Sequence, residues 1–289
     1  MNSVANQDLL VRLVEALERL APPPRSVAIA PEAEGYVWRA DALALDPVAT
    51  IARVDLDLLR GIERQRDALL ANTLAFAEGQ PANNALLWGA RGTGKSSLVK
   101  AVHAEVNRAL DGQTAPVALV EVQREDIGSL GKLLAILAGE HGRRFILFCD
   151  DLSFDHGEGD YKSLKALLDG GIAGRPSNVI IYATSNRRHL LARDIVENER
   201  ATAIHPGEAI EEKVSLSDRF GLWLGFHAMV ETEYLDIVAS YADRLGIGID
   251  RADLAQAARE WALARGSRSG RTAWQFIQHV RGQGTPASR

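Results

Sequence analysis

The chain has 289 residues, enough for about two domains at ~150 residues each. Its 46% hydrophobic and 25% charged residues are ordinary globular values and exclude a disordered or fibrous chain. Lys and Arg number 33 against 38 Asp and Glu, a net −5, and the single cysteine, Cys149, excludes an intrachain disulfide and fits a reducing, cytoplasmic setting.

Within Met1–Leu20, Leu9, Leu10, Leu13, Val14, Leu17 and Leu20 recur at helical spacing among Asp8, Arg12, Glu15, Glu18 and Arg19. Those interruptions predict an amphipathic helix, not a signal peptide or a membrane span. Ala21-Pro22-Pro23-Pro24 stops the helix and starts an extended linker, so residues 1–53 read as an N-terminal helix and linker. From Val54 to Gly79 a second helical pattern runs through Leu59, Ile62, Leu69, Leu70, Leu74 and Phe76.

Short apolar runs then alternate with helical stretches. The runs are Ala85–Trp88, Val117–Val122, Phe145–Cys149, Val179–Thr184 and, more weakly, Leu222–Phe226. They are continuous, as in parallel strands buried on both faces, and the helices between them fall at 95–110, about 130–140 and 161–169. This alternation predicts a three-layer αβα domain with a parallel sheet over residues 54–229. Beyond it come three helical patterns, Glu231–Leu245, Asp250–Ala264 and Thr272–Val280, read as a small helical domain over 230–282 with a flexible tail at 283–289.

Charge is uneven. Residues 251–289 hold seven arginines against Asp253 and Glu260, a local +5, leaving −10 for the first 250 residues. Such an end either meets phosphates, of a nucleotide or of nucleic acid, or is a solvated basic helix.

Gly89-Ala90-Arg91-Gly92-Thr93-Gly94-Lys95-Ser96 matches G-x-x-x-x-G-K-[ST] in full, after a strand and opening a helix. Glycines let the backbone wrap phosphates, and N–H groups at the helix start point at the anion. Lys95 would reach the β- and γ-phosphates and Ser96 would put its hydroxyl on Mg²⁺. Phe145–Cys149 ends in Asp150-Asp151, carboxylates suited to the magnesium (Asp150) and to the attacking water (Asp151), unless Asp151 only caps the turn. Val179–Thr184 leads to Ser185-Asn186, where Asn186 either touches the γ-phosphate or the water, or is an ordinary turn asparagine. Asp155-His156-Gly157-Glu158-Gly159-Asp160 fits neither zinc nor calcium spacing and reads as a loop beside the nucleotide.

With these residues in place the chain resembles the AAA+ ATPases over roughly Asp55 to Val280. The resemblance implies that Gly89–Ser96, with Ser97, is Walker A, that Phe145–Asp151 is Walker B and that Asn186 is sensor 1. It implies an arginine finger at Arg219, in Ser217-Asp218-Arg219-Phe220. Sensor 2 would be Arg271, in Ser269-Gly270-Arg271, with Arg268 as runner-up. Leu58-Leu59-Arg60-Gly61-Ile62 is similar to the segment that packs on adenine, which implicates Gly61 and Ile62. A five-stranded sheet in the order 5-1-4-3-2 under a helical lid is implied as well. At finer grain Leu86–Lys100, Cys149–Phe154, Ala183–Leu190 and His205–Phe226 resemble a bacterial AAA+ subgroup of unknown function.

Two departures stand out. The usual Asp-Glu ending of Walker B is here Asp-Asp, with Asp151 in the second place, and Arg187–Leu216 carries extra residues that read either as a partner loop or as a surface ornament. The resemblance therefore implies a Mg²⁺-dependent ATPase working as an oligomer on a partner. The alternative is an ATP-controlled switch with slow hydrolysis. A P-loop kinase lacks any sign of an acceptor pocket, and nucleic acid has only fold analogy behind it, since the chain is net acidic without a helix-turn-helix or zinc finger.

Overall fold

The computed structural model describes residues 12, 29–30, 32–110, 116–152, 158–170, 174–187 and 218–283. The expected N-terminal helix and proline linker, the first part of the Asp155–Asp160 stretch, Ser217, the added segment at 188–216 and the tail at 284–289 lie outside the described residues.

Seven strands are described: β1 (Gly35–Arg39), β2 (Ala44–Pro47), β3 (Ala85–Gly89), β4 (Ala118–Glu121), β5 (Phe145–Cys149), β6 (Val179–Ser185) and β7 (Leu222–Phe226). The helices are α1 (Glu63–Ala77), α2 (Lys95–Ala109), α3 (Leu130–Ala138), α4 (Glu158–Asp169), α5 (Glu231–Arg244), α6 (Arg251–Arg265) and α7 (Gly270–Gly282). All strands join one sheet in the order β2-β1-β4-β5-β6-β3-β7. Every pairing is parallel except that of β2 with β1.

The central strands explain the three layers. β5 and β6 are buried at every position, and because successive side chains point to opposite faces, each feeds two cores. Phe145, Leu147 and Cys149 pack on one side with Tyr36, Trp38 and Leu133. Ile146 and Phe148 pack on the other with Leu69, Phe76, Leu98 and Val102. Full burial of each such side chain contributes about 1.5–3 kcal/mol. The continuous apolar runs seen in the sequence are the direct result.

The sheet corrects one expectation. The five expected strands stand side by side as β7-β3-β6-β5-β4, which numbered alone reads 5-1-4-3-2, but the sheet has seven strands. The linker expected up to residue 53 contains the β1–β2 hairpin, which extends the sheet beyond β4. Its anchors come from far along the chain. Trp38 donates to Ser129 Oγ at 2.7 Å, and the buried Arg143 guanidinium donates to Ala30 O at 2.9 Å, to Tyr36 Oη at 3.0 Å, to Pro116 O at 3.3 Å and to Ala33 O. The second helical pattern also splits: residues 56–58 form a short 3₁₀ turn, and α1 begins only at Glu63.

Helices α5–α7 form a third core around Tyr234, Ile237, Val238, Leu254, Ala258, Phe276 and Ile277. Asp250 caps α6 by accepting the Ala252 N–H at 2.8 Å, and Gly266 at φ 60 ends it in the left-handed conformation. Ser269 caps α7 by accepting the Thr272 N–H at 3.1 Å. That cap sets the start of α7 against the phosphate-binding loop.

Candidate functional site

Parallel strands end at one edge of the sheet, and there the register brings three loops together. Trp88 lies beside Ser185, and Cys149 beside Ala183, so the exits of β3, β5 and β6 converge. The loop after β3 can make its turn only with glycine. A Cβ on Gly89, at φ 140, would lie 1.9 Å from Phe226 O, and one on Gly92, at φ 77, would lie 2.8 Å from Ser269 Oγ. The loop therefore presses between the end of β7 and the first residues of α7.

Lys95, only 7% exposed, opens α2. Its ammonium donates to Gly89 O at 2.8 Å, to Ala90 O at 2.7 Å and to Asn186 Oδ1 at 3.2 Å. Burial lowers its pKa, and the Asp151 and Asp150 carboxylates oppose that shift. Ser96 donates from Oγ to Asp150 Oδ1 at 2.6 Å. Asp151 accepts from Asn186 Nδ2, and Arg91 Nη2 stands 3.9 Å from its other oxygen. Four of the expected polar residues thus form one connected group with Asp150.

They line a cavity of about 550 Å³. Its phosphate-facing part is built from Arg91, Gly92, Gly94, Lys95, Ser96 and Ser97, with Asp150, Asp151, Thr184 and Asn186 opposite. Arg271 and Gly270 enter from the helical domain. Val54, Leu59, Tyr241 and Trp274 supply apolar and aromatic surface, with the Tyr241 and Trp274 rings 5.1 Å apart. The volume suits a small-molecule ligand, and cationic and hydroxyl groups beside an aromatic wall suit an anion joined to a flat ring.

Residues 31–284 match the family described as Protein of unknown function (DUF815). The chain belongs to that family. No curated protein matches it. Among solved structures, the ORC1 protein of Aeropyrum pernix in complex with DNA is similar at 15% identity and TM-score 0.54, over 79% of this chain and 65% of that one. A Thermotoga maritima RuvB variant is similar at 17% identity and TM-score 0.47, over 78% and 72%. C. elegans PCH-2 stands at 17% identity and TM-score 0.48, over 79% and 66%. At such identities the likeness is one of fold. That fold is the AAA+ one, and the DUF815 chain is a member of an AAA+ subgroup of unknown function.

The remaining expected residues of this DUF815 chain fall in different places. Thr93 turns inward, donating from Oγ1 to Ala90 O at 2.8 Å. Gly61 and Ile62 are not on the cavity wall, where Val54 and Leu59 stand instead. Ile62 is buried near the loop, its Cδ1 3.6 Å from where a Cβ on Gly94 would sit. Of the two arginines weighed for the last helix, Arg271 lines the cavity, while Arg268 pairs with Glu231 at 3.3 Å. Arg219 is away from its own cavity and is ion-paired with Asp169 at the end of α4. Cys149 is buried and its thiol is pushed up to about 12 by burial, so it is an inert core residue.

Thr184, Tyr241 and Trp274 were missed by motif reading. Trp274 carried a signal, since it follows Arg271 by one helical turn and shares its face. For a metal ion the donor set is informative. Among the described residues no group of three or more His, Cys, Asp or Glu could hold one. Ser96 Oγ and Asp150 Oδ1 form a hard oxygen pair that fits a cation taking its other ligands from phosphate and water.

Proposed function

We propose that this chain is a Mg²⁺-dependent ATPase that works as an oligomer on a partner protein. The observation that carries the reading is the convergence of Lys95, Ser96, Asp150, Asp151, Asn186 and Arg271 on one cavity with an aromatic wall. The N–H groups of Gly89–Ser97 and the Lys95 ammonium take the triphosphate, for which Lys95 exchanges its present carbonyl partners. Ser96 and Asp150 hold the magnesium, whose charge offsets that of the β- and γ-phosphate oxygens when bound.

Asp151 orients the attacking water and accepts its proton. Asn186 holds Asp151 from one side and faces the γ-phosphate from the other. Arg271 brings the helical domain to the nucleotide, and the base lies toward Val54, Leu59, Tyr241 and Trp274. Arg219 serves the neighbouring subunit, a role supported by its distance from its own cavity. The net charge of −5 gives no electrostatic footprint for nucleic acid, so the partner is a protein. Among the described residues no helix is long and apolar enough to cross a membrane.

A second reading, an ATP-controlled switch with slow turnover, is favoured by one observation. The Asp151 carboxylate is short and already engaged by Asn186. Thermal melting and phosphate release, measured on the full chain and on Lys95→Ala, separate the possibilities. The wild type is expected to gain stability with Mg²⁺ and ATP, about 2.7 kcal/mol at ~100 times the dissociation constant, and Lys95→Ala to gain none. Stabilisation with no phosphate release at any protein concentration selects the switch. A melting shift that survives Lys95→Ala defeats the phosphate-site assignment.

A further inference from the structure

Thr184, one residue from the end of β6, is 1% exposed yet reaches the cavity wall. Its hydroxyl donates to Asp150 Oδ1 at 2.5 Å and accepts the Asp151 N–H at 2.9 Å. Its carbonyl accepts the Leu152 N–H at 2.7 Å. Two successive amides leaving β5 therefore end on one residue of the neighbouring strand.

The clamp meets a local need. Asp151 has φ 51, in the left-handed region, and its N–H shares itself between Thr184 Oγ1 and Asp150 Oδ1, the latter at 3.2 Å. The same Asp150 oxygen also accepts from Ser96. Without the threonine hydroxyl, Asp150 would keep Ser96 but lose its fixed orientation from the strand side. Asp151 would lose the better of its two amide partners, and a half-buried donor left short of a partner drives the turn to rearrange.

We infer that Thr184 is a positioning residue: its hydroxyl fixes the Asp150 oxygen toward Ser96 and holds the turn that presents Asp151 to Asn186 and the cavity. This inference rests on the nucleotide-site reading above. It assigns Thr184 no contact with the reacting atoms. Its effect passes through the two carboxylates.

The test is ATP binding by calorimetry, with EDTA and with Mg²⁺, on the wild type, Thr184→Val and Thr184→Ser. Valine keeps the shape and removes the hydroxyl, and serine keeps the hydroxyl. The ratio of the two affinities reads the metal's contribution independently of turnover. Thr184→Val is expected to match the wild type within about twofold in EDTA, to lose at least about fivefold of the Mg²⁺ contribution, and to lose at least about tenfold in kcat, with Thr184→Ser restoring both. Should Thr184→Val not fold, Thr184→Ala and Thr184→Ser form the same comparison. A hydroxyl-free variant with the full Mg²⁺ contribution, or a serine variant as impaired as valine, overturns the inference while the nucleotide site stands. A wild type that binds ATP under neither condition overturns both.

Discussion

Lys95 donates from its ammonium to the side-chain oxygen of Asn186, 3.2 Å away, and so ties the phosphate-binding loop to the end of β6. The amide is used at both ends, since its nitrogen donates to Asp151. Asparagine is the residue that can do this. Aspartate would satisfy the lysine but place a second carboxylate against Asp151.

Asn186→Ala and Asn186→Asp are therefore expected to bind ATP within about threefold of the wild type. Each should lose about 10²–10³ in kcat, the range found when a polarising donor is removed. Steady-state turnover alongside equilibrium ATP titration reads the two quantities separately. Unchanged kcat in both variants would return Asn186 to an ordinary turn residue.

The left-handed backbone at Asp151 accounts for the acid found there. Asp and Asn tolerate φ near 51 because their short side chains bond to nearby backbone, and longer side chains pay more for it. Asp151→Asn should keep the thermal midpoint and ATP binding but stop turnover, since an amide accepts no proton. Asp151→Glu should lower stability by about 1 kcal/mol. Denaturant unfolding of the two variants decides it, and a glutamate borne without loss refutes the backbone explanation.

Arg219 offers a test of assembly. A guanidinium supplied in trans is worth about 10³–10⁵ in rate. Arg219→Ala should bind ATP as the wild type does and hydrolyse it at least about 10³-fold more slowly. Mixed with Lys95→Ala after subunit exchange, it should recover part of its activity, because the Lys95→Ala subunit still donates Arg219 to the intact pocket beside it. No recovery in mixed oligomers, or turnover by a proven monomer, leaves Arg219 with only its ion pair to Asp169.

His103 predicts the acid limb of stability. It is fully buried on α2, with Nε2 2.8 Å from Val117 O and Nδ1 without a partner. Burial lowers its pKa below 6.5, outweighing the Val117 carbonyl and Glu34, while Arg53 and Arg143 push the same way as burial. The folded state holds it neutral while the unfolded chain takes up a proton below about pH 6.5. Stability is therefore complete above that pH and falls as acid is added, by at most about 1.4 kcal/mol per pH unit for this one group. His103→Gln should flatten the slope below about pH 6.5 and leave it unchanged near pH 8. Urea unfolding at several pH values compares the two slopes, and identical slopes would show that His103 stays uncharged in both states.

Much of the site was legible because its chemistry is local in sequence. Gly89–Ser96 and Asp150-Asp151 are contiguous, and continuous apolar runs mark strands buried on both faces. What stayed hidden depends on contacts made across the fold. The β1–β2 hairpin is five and four residues long, too short for periodicity to declare, and its anchors Ser129 and Arg143 lie far away in the chain. Thr184 looked like any strand threonine until the register set its hydroxyl beside two carboxylates. Tyr241 and Trp274 read as core aromatics of a helical bundle, and only the docking of α7 on the Gly92 turn brings them to the cavity.

The placement of Arg143 bears on how the protein can be cut. A fragment beginning at Val54 would retain every nucleotide motif and discard the hairpin. β4 would then become an open edge, with unpaired backbone groups ready to join another molecule. The Arg143 guanidinium, which cannot shed its charge, would lose Ala30, Ala33 and Tyr36 and keep only the Pro116 carbonyl. Trimming to the motifs would thus trade a soluble domain for a sticky one, and the shortest workable fragment begins upstream of Ile29.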